Sequence, residues 1–146
     1  PLETGGGIVN ALPLLGREPF ILVNADVLTD FDFTKLGLES GLGVLVLIAN
    51  PPHNSRGDFG LDARARIVSA PLVGATSVAT LTFAGISLLA PALFAGLPPG
   101  RRQLKPILDA AIARGELYGL RYEGLWIDVG TPERLAIART KVHDLG

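Results

Sequence analysis

The sequence predicts an α/β protein: a mixed sheet with flanking helices. Three observations carry this expectation. Two short, unbroken apolar runs, at residues 20–23 and 43–49, read as strands buried on both faces of a parallel sheet. Residues 103–114 place Leu104, Ile107, Leu108, Ala111 and Ile112 at helical spacing. Hairpin-like segments between these elements add antiparallel material, so the sheet is expected to be mixed.

The elements follow in order. Gly5, Gly6 and Gly7 lead into Ile8, Leu12 and Leu15, a helical run expected to end at Pro13. The strand 20–23 closes at Asn24-Ala25-Asp26. Residues 33–38 suit a short helix capped by Asp32. After the strand 43–49, residues 50–58 are rich in turn formers. Residues 59–61 and 66–68 flank a turn and read as a hairpin. Residues 71–76 read as a loop. Residues 80–89 form a long strand candidate interrupted by Gly85, a sign of close backbone approach or a bulge. The helix 103–114 has Pro106 in its first turn and Gly115 at its end. Strands are expected at 117–122 and 125–129. Thr131-Pro132 opens a closing helix with a buried stripe of Leu135, Ala138 and Val142.

Composition narrows the function. The chain has 146 residues, 48% hydrophobic and 18% charged, with a net charge of −1. That balance lacks the basic excess of a non-specific nucleic-acid binder. There is no cysteine and there are two histidines, which argues against disulfides, Cys-ligated zinc and a His-rich metal site. No run approaches the ~20 apolar residues of a membrane span. The sequence also contains no methionine, even at its first position. Either the terminus is trimmed or processed, or the opening residues lie inside a longer domain.

Two acids sit where an α/β sheet presents its ligand crevice, at strand ends. Asp26 follows the first apolar run, where a simple turn would also use an Asp. Asp128 lies between apolar neighbours in Trp126-Ile127-Asp128-Val129, where a carboxylate needs a cation or hydrogen bonds. One or two carboxylates, completed by water and substrate phosphate, suit magnesium. The chain has no cysteine nucleophile and no serine in a G-x-S-x-G elbow. Metal-assisted chemistry on a phosphate therefore fits better than acyl transfer. Gly5 to Gly7 allow a backbone approach to a ligand or simply a tight turn. His53 and Asn54 lie in the proline-rich loop. Arg56 is either a solvated charge or a fork for an anion.

The stretches LETGGGI (2–8), VNADV (23–27), RGDF (56–59), LTFAGI (81–86) and WIDVGTPE (126–133) come in one order along the chain. Together they resemble the sugar-1-phosphate nucleotidyltransferases, and within them the uridylyltransferases of peptidoglycan recycling that act on N-acetylmuramate 1-phosphate. The resemblance implies a Rossmann-like, GT-A-like nucleotidyltransferase fold in the cytoplasm, using Mg2+ to join UTP and a sugar 1-phosphate with release of pyrophosphate. It implies Asp26 and Asp128 as metal-holding catalytic residues. Thr4, Gly5 and Gly6 would contact the nucleobase, and Gly60, Thr82 and Gly85 the sugar. Arg56 gripping the lactyl carboxylate of muramate is a hypothesis from fork geometry. The family's first strand, its G-x-G-x-R triphosphate loop and a substrate-facing lysine precede the LETGGGI segment. Residues 1–146 are thus expected to be the C-terminal two-thirds of one domain, N-terminally truncated. Mannose or glucose 1-phosphate as substrate, or a non-catalytic binding module, are the alternatives.

Overall fold

The computed structural model describes residues 1–69 and 79–144. The expected loop at 71–76 lies outside these residues. Among the described residues three helices, α1 (Glu3–Leu15), α2 (Lys105–Ala113) and α3 (Pro132–Asp144), accompany eight strands. The strands are β1 (Phe20–Val23), β2 (Val27–Thr29), β3 (Gly43–Ile48), β4 (Phe59–Leu61), β5 (Ile67–Ser69), β6 (Thr80–Leu89), β7 (Leu117–Arg121) and β8 (Trp126–Asp128).

The main sheet runs β5-β4-β6-β3-β7, with β1 also paired to β6. β3 and β7 are parallel, and the other pairs are antiparallel. The sheet is therefore mixed, as the sequence predicts. A second, two-stranded ladder joins β2 to β8.

β3 explains why an unbroken apolar run marks a central strand. Its Leu45 and Leu47 enter one core with Ile8, Phe94, Leu108 and Leu117. Its Val46 and Ile48 enter another on the opposite face, with Phe31, Ala84 and Ile86. Alternate side chains point to opposite faces of a sheet, so a strand covered on both sides must be apolar throughout.

The same argument misreads β1. It is an antiparallel strand bonded, among the described residues, to β6 alone, with Phe20 and Leu22 half-buried and Ile21 and Val23 exposed at 47% and 43%. Four apolar residues in a row do not record how many faces are covered.

Other expectations shift in detail. Pro13 lies inside α1, which continues to Leu15 and closes where the Gly16 N–H donates to Leu12 O at 3.2 Å. A proline two residues from the helix end removes a single late hydrogen bond, which the helix tolerates. The segment after Asp32 is only one 3-10 turn, Phe33–Lys35, although Asp32 does cap it by accepting the Thr34 N–H. The strand β2 has no counterpart in the sequence expectations. In α3, Ala138 is buried, but Leu135 and Ile137 are exposed at 39% and 55%. Of the expected stripe, Ala138 is thus buried and Leu135 is not, in a helix whose contacts include the three-residue strand β8; the Val142 side chain lies outside the described residues.

Gly85 behaves as its position in a strand suggests. Its φ is +72°, a left-handed conformation that favours glycine. It falls where the β3–β6 register shifts between Leu45 and Leu47, so it marks a bulge. The bulge presents Gly85 O to the Asn24 N–H at 2.8 Å, holding the end of β1.

Candidate active site

Asp26 and Asp128 are brought together by the β2–β8 ladder. Val27 pairs with Asp128, and the Val129 N–H donates to Asp26 O at 2.8 Å. The small ladder is fastened to the main sheet by Trp126, whose Nε1–H donates to Ala84 O at 2.9 Å.

The two carboxylates converge at Gly130. Asp26 Oδ2 and Asp128 Oδ1 each lie 3.0 Å from the point a Cβ on Gly130 would occupy. The oxygens are thus no more than twice that distance apart, around a space that only a missing side chain leaves open. Asp128 Oδ1 also accepts the Gly130 N–H at 2.7 Å, and Arg134 Nη1 donates to Oδ2 at 2.5 Å. His53 Nε2 is 3.7 Å from the same Oδ2. The strand-end carboxylate therefore has both the backbone bond and the cation that its partial burial calls for. Arg134 is oriented by Thr131, whose Oγ1 accepts from its N–H and Nε–H at 3.3 Å. Glu133, in the same first turn, has its carboxyl held below the usual range by backbone N–H and Thr131 hydrogen bonds.

The carboxylates open into a crevice of about 210 Å³ lined also by Asn24, His53, Asn54, Thr82 and Gly85. A larger cavity of about 510 Å³ adjoins it, lined by Thr4, Phe59, Gln103, Leu104 and Lys105 among others. Asn24, Asp58 and Phe83 border both.

An Asx network fixes the wall between them. Asp58 Oδ2 accepts the Phe83 N–H at 2.8 Å, and its Oδ1 accepts from Asn54 Nδ2 at 3.2 Å. Thr82 is buried, donating to Asn50 Oδ1 at 3.0 Å and accepting from Asn54 Nδ2 at 3.2 Å. The loop 50–58 is thereby pinned to β6.

The structure thus gathers Asp26, Asp128, Thr82 and Gly85 in one crevice, with Thr4 in the adjoining cavity. Gly85 faces the Asn24 side chain, whose Nδ2 would stand 2.7 Å from a Cβ there. Gly5 and Gly6 are buried against residues 100–103. The Gly6 N–H donates to Arg102 O at 2.9 Å, and a Cβ on Gly6 would fall 2.2 Å from Gly100 O. Their lack of side chains has a packing reason of its own. Gly60 is buried in β4, between Val68 and Thr80. Arg56 is exposed on its loop and lines neither cavity.

Sequence reasoning missed Asn24, Asn50, Asp58, Lys105 and Arg134. Asn and Asp in a proline-rich loop look like turn formers, and only the pairing of that loop with β6 reveals their second use. Arg134 had a readable signal: it stands three residues after a helix-capping Thr, beside a strand-end Asp.

A crevice at strand ends, holding converging carboxylates in a mixed sheet, defines the class as an α/β protein with a candidate ligand site at its strand ends. Comparison with known proteins narrows it. No family model matches the chain. It is 42% identical over 147 aligned residues to an N-acetylmuramate alpha-1-phosphate uridylyltransferase of Neisseria meningitidis, covering 94% of this chain and 61% of that protein. It is 29% identical to the mannose-1-phosphate guanylyltransferase catalytic subunit beta of Danio rerio, covering 91% of this chain and 39% of that protein. A crystal structure from Bacillus anthracis, described as a glucose-1-phosphate thymidylyltransferase, superposes with a TM-score of 0.73 at 19% identity, over 98% of this chain and 62% of that one. The chain is therefore similar to sugar-1-phosphate nucleotidyltransferases in sequence and shares their fold. It spans about three-fifths of the uridylyltransferase it matches.

Proposed function

We propose that the chain forms part of an enzyme that transfers UMP from UTP to N-acetylmuramate 1-phosphate and releases pyrophosphate. Peptidoglycan recycling in the cytoplasm is the setting this reading implies. The similarity to the Neisseria uridylyltransferase suggests the substrates. The observation that carries the chemistry is the convergence of Asp26 and Asp128 at Gly130. In this reading residues 1–146 are the C-terminal two-thirds of one domain.

The residues present fit magnesium. Among the described residues no group of three or more His, Asp or Glu could hold a metal. Two carboxylates around a space left by a glycine are nevertheless enough for a cation that takes its other ligands from water and phosphate. When bound, magnesium would offset the charge of the two phosphate substrates and of the transition state.

The rest falls to the chain. A sugar phosphate oxygen attacks the α-phosphorus of the triphosphate, and pyrophosphate leaves, so no protein nucleophile is needed. Positioning carries much of such a reaction. Thr82 and Gly85 face the crevice that would take the sugar phosphate, with Gly60 in the adjacent strand. Thr4 opens the neighbouring cavity towards the nucleoside, with Gly5 and Gly6 setting its backbone. The pinned loop 50–58 keeps the wall between the two rigid.

The test is pyrophosphate release from UTP, N-acetylmuramate 1-phosphate and Mg2+. It is run with this chain alone and with the N-terminal segment of the Neisseria relative joined to it. Turnover by the joined protein that Asp26→Asn abolishes is the expected result. No turnover, with the fold intact by circular dichroism, counts against the proposal. A second reading is a guanylyl- or thymidylyltransferase acting on mannose or glucose 1-phosphate, supported by the similarity to the Danio rerio subunit. A panel of four nucleotides and four sugar phosphates separates the two.

A further inference from the structure

We infer that Lys105 is the residue that selects an acidic sugar, by pairing with a carboxylate carried on the sugar ring away from the reacting phosphate. This rests on the proposed sugar-phosphate reading and adds to it the source of discrimination between N-acetylmuramate and N-acetylglucosamine 1-phosphates. These two differ only in the lactyl ether and its carboxylate.

The placement of charge supports it. The larger cavity has an apolar wall of Phe59, Phe83, Leu104 and Leu108, and Lys105 is the cation on its lining. Its acidic neighbours are already engaged. Glu3 Oε1 accepts from Arg101 Nε at 2.6 Å, and both oxygens of Asp58 accept hydrogen bonds from Phe83 and Asn54. Lys105 Nζ stands 5.7 Å from the centre of the Phe59 ring, against the cavity wall. The carboxylate pair that would face the reacting phosphate lies in the adjoining crevice, which Lys105 does not line. The two spaces share Asn24, Asp58 and Phe83 on their border, so a sugar seated in the crevice can extend a ring carboxylate into the larger cavity, which the nucleoside would also enter.

Lys105 is also free to change partner. It bonds Asp109 Oδ1 and Oδ2 at 2.9 and 2.8 Å, one turn along α2. Those side chains are 67% and 46% exposed, and an exposed helical ion pair is weak. A ligand carboxylate held in a partly apolar cavity competes with it easily. Arg56, the other candidate for this role, lies outside both cavities.

The experiment is calorimetric binding of N-acetylmuramate 1-phosphate and N-acetylglucosamine 1-phosphate to this chain in Mg2+. It uses the wild type, Lys105→Met, Lys105→Arg and Arg56→Ala. A charge-assisted hydrogen bond predicts that Lys105→Met weakens the muramate ligand by about 10-fold or more while the glucosamine ligand changes less than about 2-fold. Lys105→Arg keeps the preference. Equal weakening of both ligands, or loss of the preference in Arg56→Ala instead, overturns the role of Lys105 and leaves the sugar-phosphate reading standing. The same ligands are titrated into the protein joined to the N-terminal segment of the Neisseria relative, and a joined wild type that binds neither overturns both.

Discussion

Asp26 and Asp128 are held side by side by main chain rather than by each other. The Val129 N–H reaches Asp26 O at 2.8 Å, and Val27 pairs with Asp128 across a three-residue ladder. Arg134 pairs with Asp128, but among the described residues no donor is shared by the two carboxylates, and a divalent cation between them would offset their like charge. Magnesium at about a hundred times its Kd stabilises a protein by ~2.7 kcal/mol, a rise in Tm of about 5–10 °C for a chain near this size. Asp26→Asn and Asp128→Asn are expected to lose this gain. Asp26→Asn should unfold no earlier than wild type in the absence of metal, because Asp26 is exposed. Scanning calorimetry with and without Mg2+ reads both effects. An Asn variant that keeps the magnesium gain would show that the cation binds elsewhere.

Gly130 supplies a second test that leaves both carboxylates in place. A Cβ there would stand 3.0 Å from Asp26 Oδ2 and from Asp128 Oδ1, filling the space between them. The clashing atoms are ends of flexible side chains, so the fold can absorb the change. Gly130→Ala is expected to weaken divalent-cation binding by about 10-fold, with less than ~1 kcal/mol lost in metal-free stability. Manganese titration followed by electron paramagnetic resonance measures the first, and urea unfolding the second. Unchanged manganese affinity would mean that the cation does not sit between these oxygens.

The parts of the fold visible in the sequence are those where pattern and packing agree. β3, β6 and α2 carry their burial in their own periodicity, and Gly85 announces its bulge. What stayed hidden depends on partners. β1 reads like β3 because both are apolar runs, yet β3 lies between β6 and β7 while β1 has one neighbour. β2, at three residues, is too short for periodicity; the strand expected at 125–129 is present as β8, and it is the pairing of the two that assembles the site. Asp26 and Asp128 could be singled out as strand-end acids. The Asn50–Asn54–Asp58 network could not, because polar loop residues look alike until the strand they bond is known; Arg134, on α3, offered only its spacing from Thr131 and Asp128.

Acid stability should report on Asp30. Its Oδ1 accepts from the Tyr122 hydroxyl and, at 2.8 Å, from the Leu125 N–H, tying the loop after β2 to the segment before β8. The hydrogen bond from Tyr122 holds the Asp30 carboxyl below its ordinary value. A depressed folded pKa contributes stability that is full above the unfolded value of about 3.9 and is lost as pH falls through the folded value. Asp30→Asn should therefore lower Tm at pH 6, and the gap to wild type should close below pH ~4. Tyr122 shows the opposite sign. Burial, then Asp30, raises its hydroxyl pKa, so its share is present below the ordinary tyrosine value of about 10 and is lost above it. Melting curves from pH 2.5 to 11 test both limbs. A constant gap across the acid range would show that Asp30 titrates alike in both states.

The exposed side of β1 predicts how the chain behaves in solution. Ile21 and Val23 are 47% and 43% exposed on a strand whose only partner among the described residues is β6. An apolar strand with an unpaired edge recruits other strands, and a lysine on such an edge blocks that pairing. Ile21 packs little against its own fold, so Ile21→Lys should change unfolding free energy by less than about 0.5 kcal/mol. It should nonetheless reduce concentration-dependent association. Light scattering across a concentration series reads association, and urea unfolding reads stability. If Ile21→Lys scatters as much as wild type at equal concentration, self-association runs through another surface, for which the exposed Leu14 on α1 is the next residue to substitute.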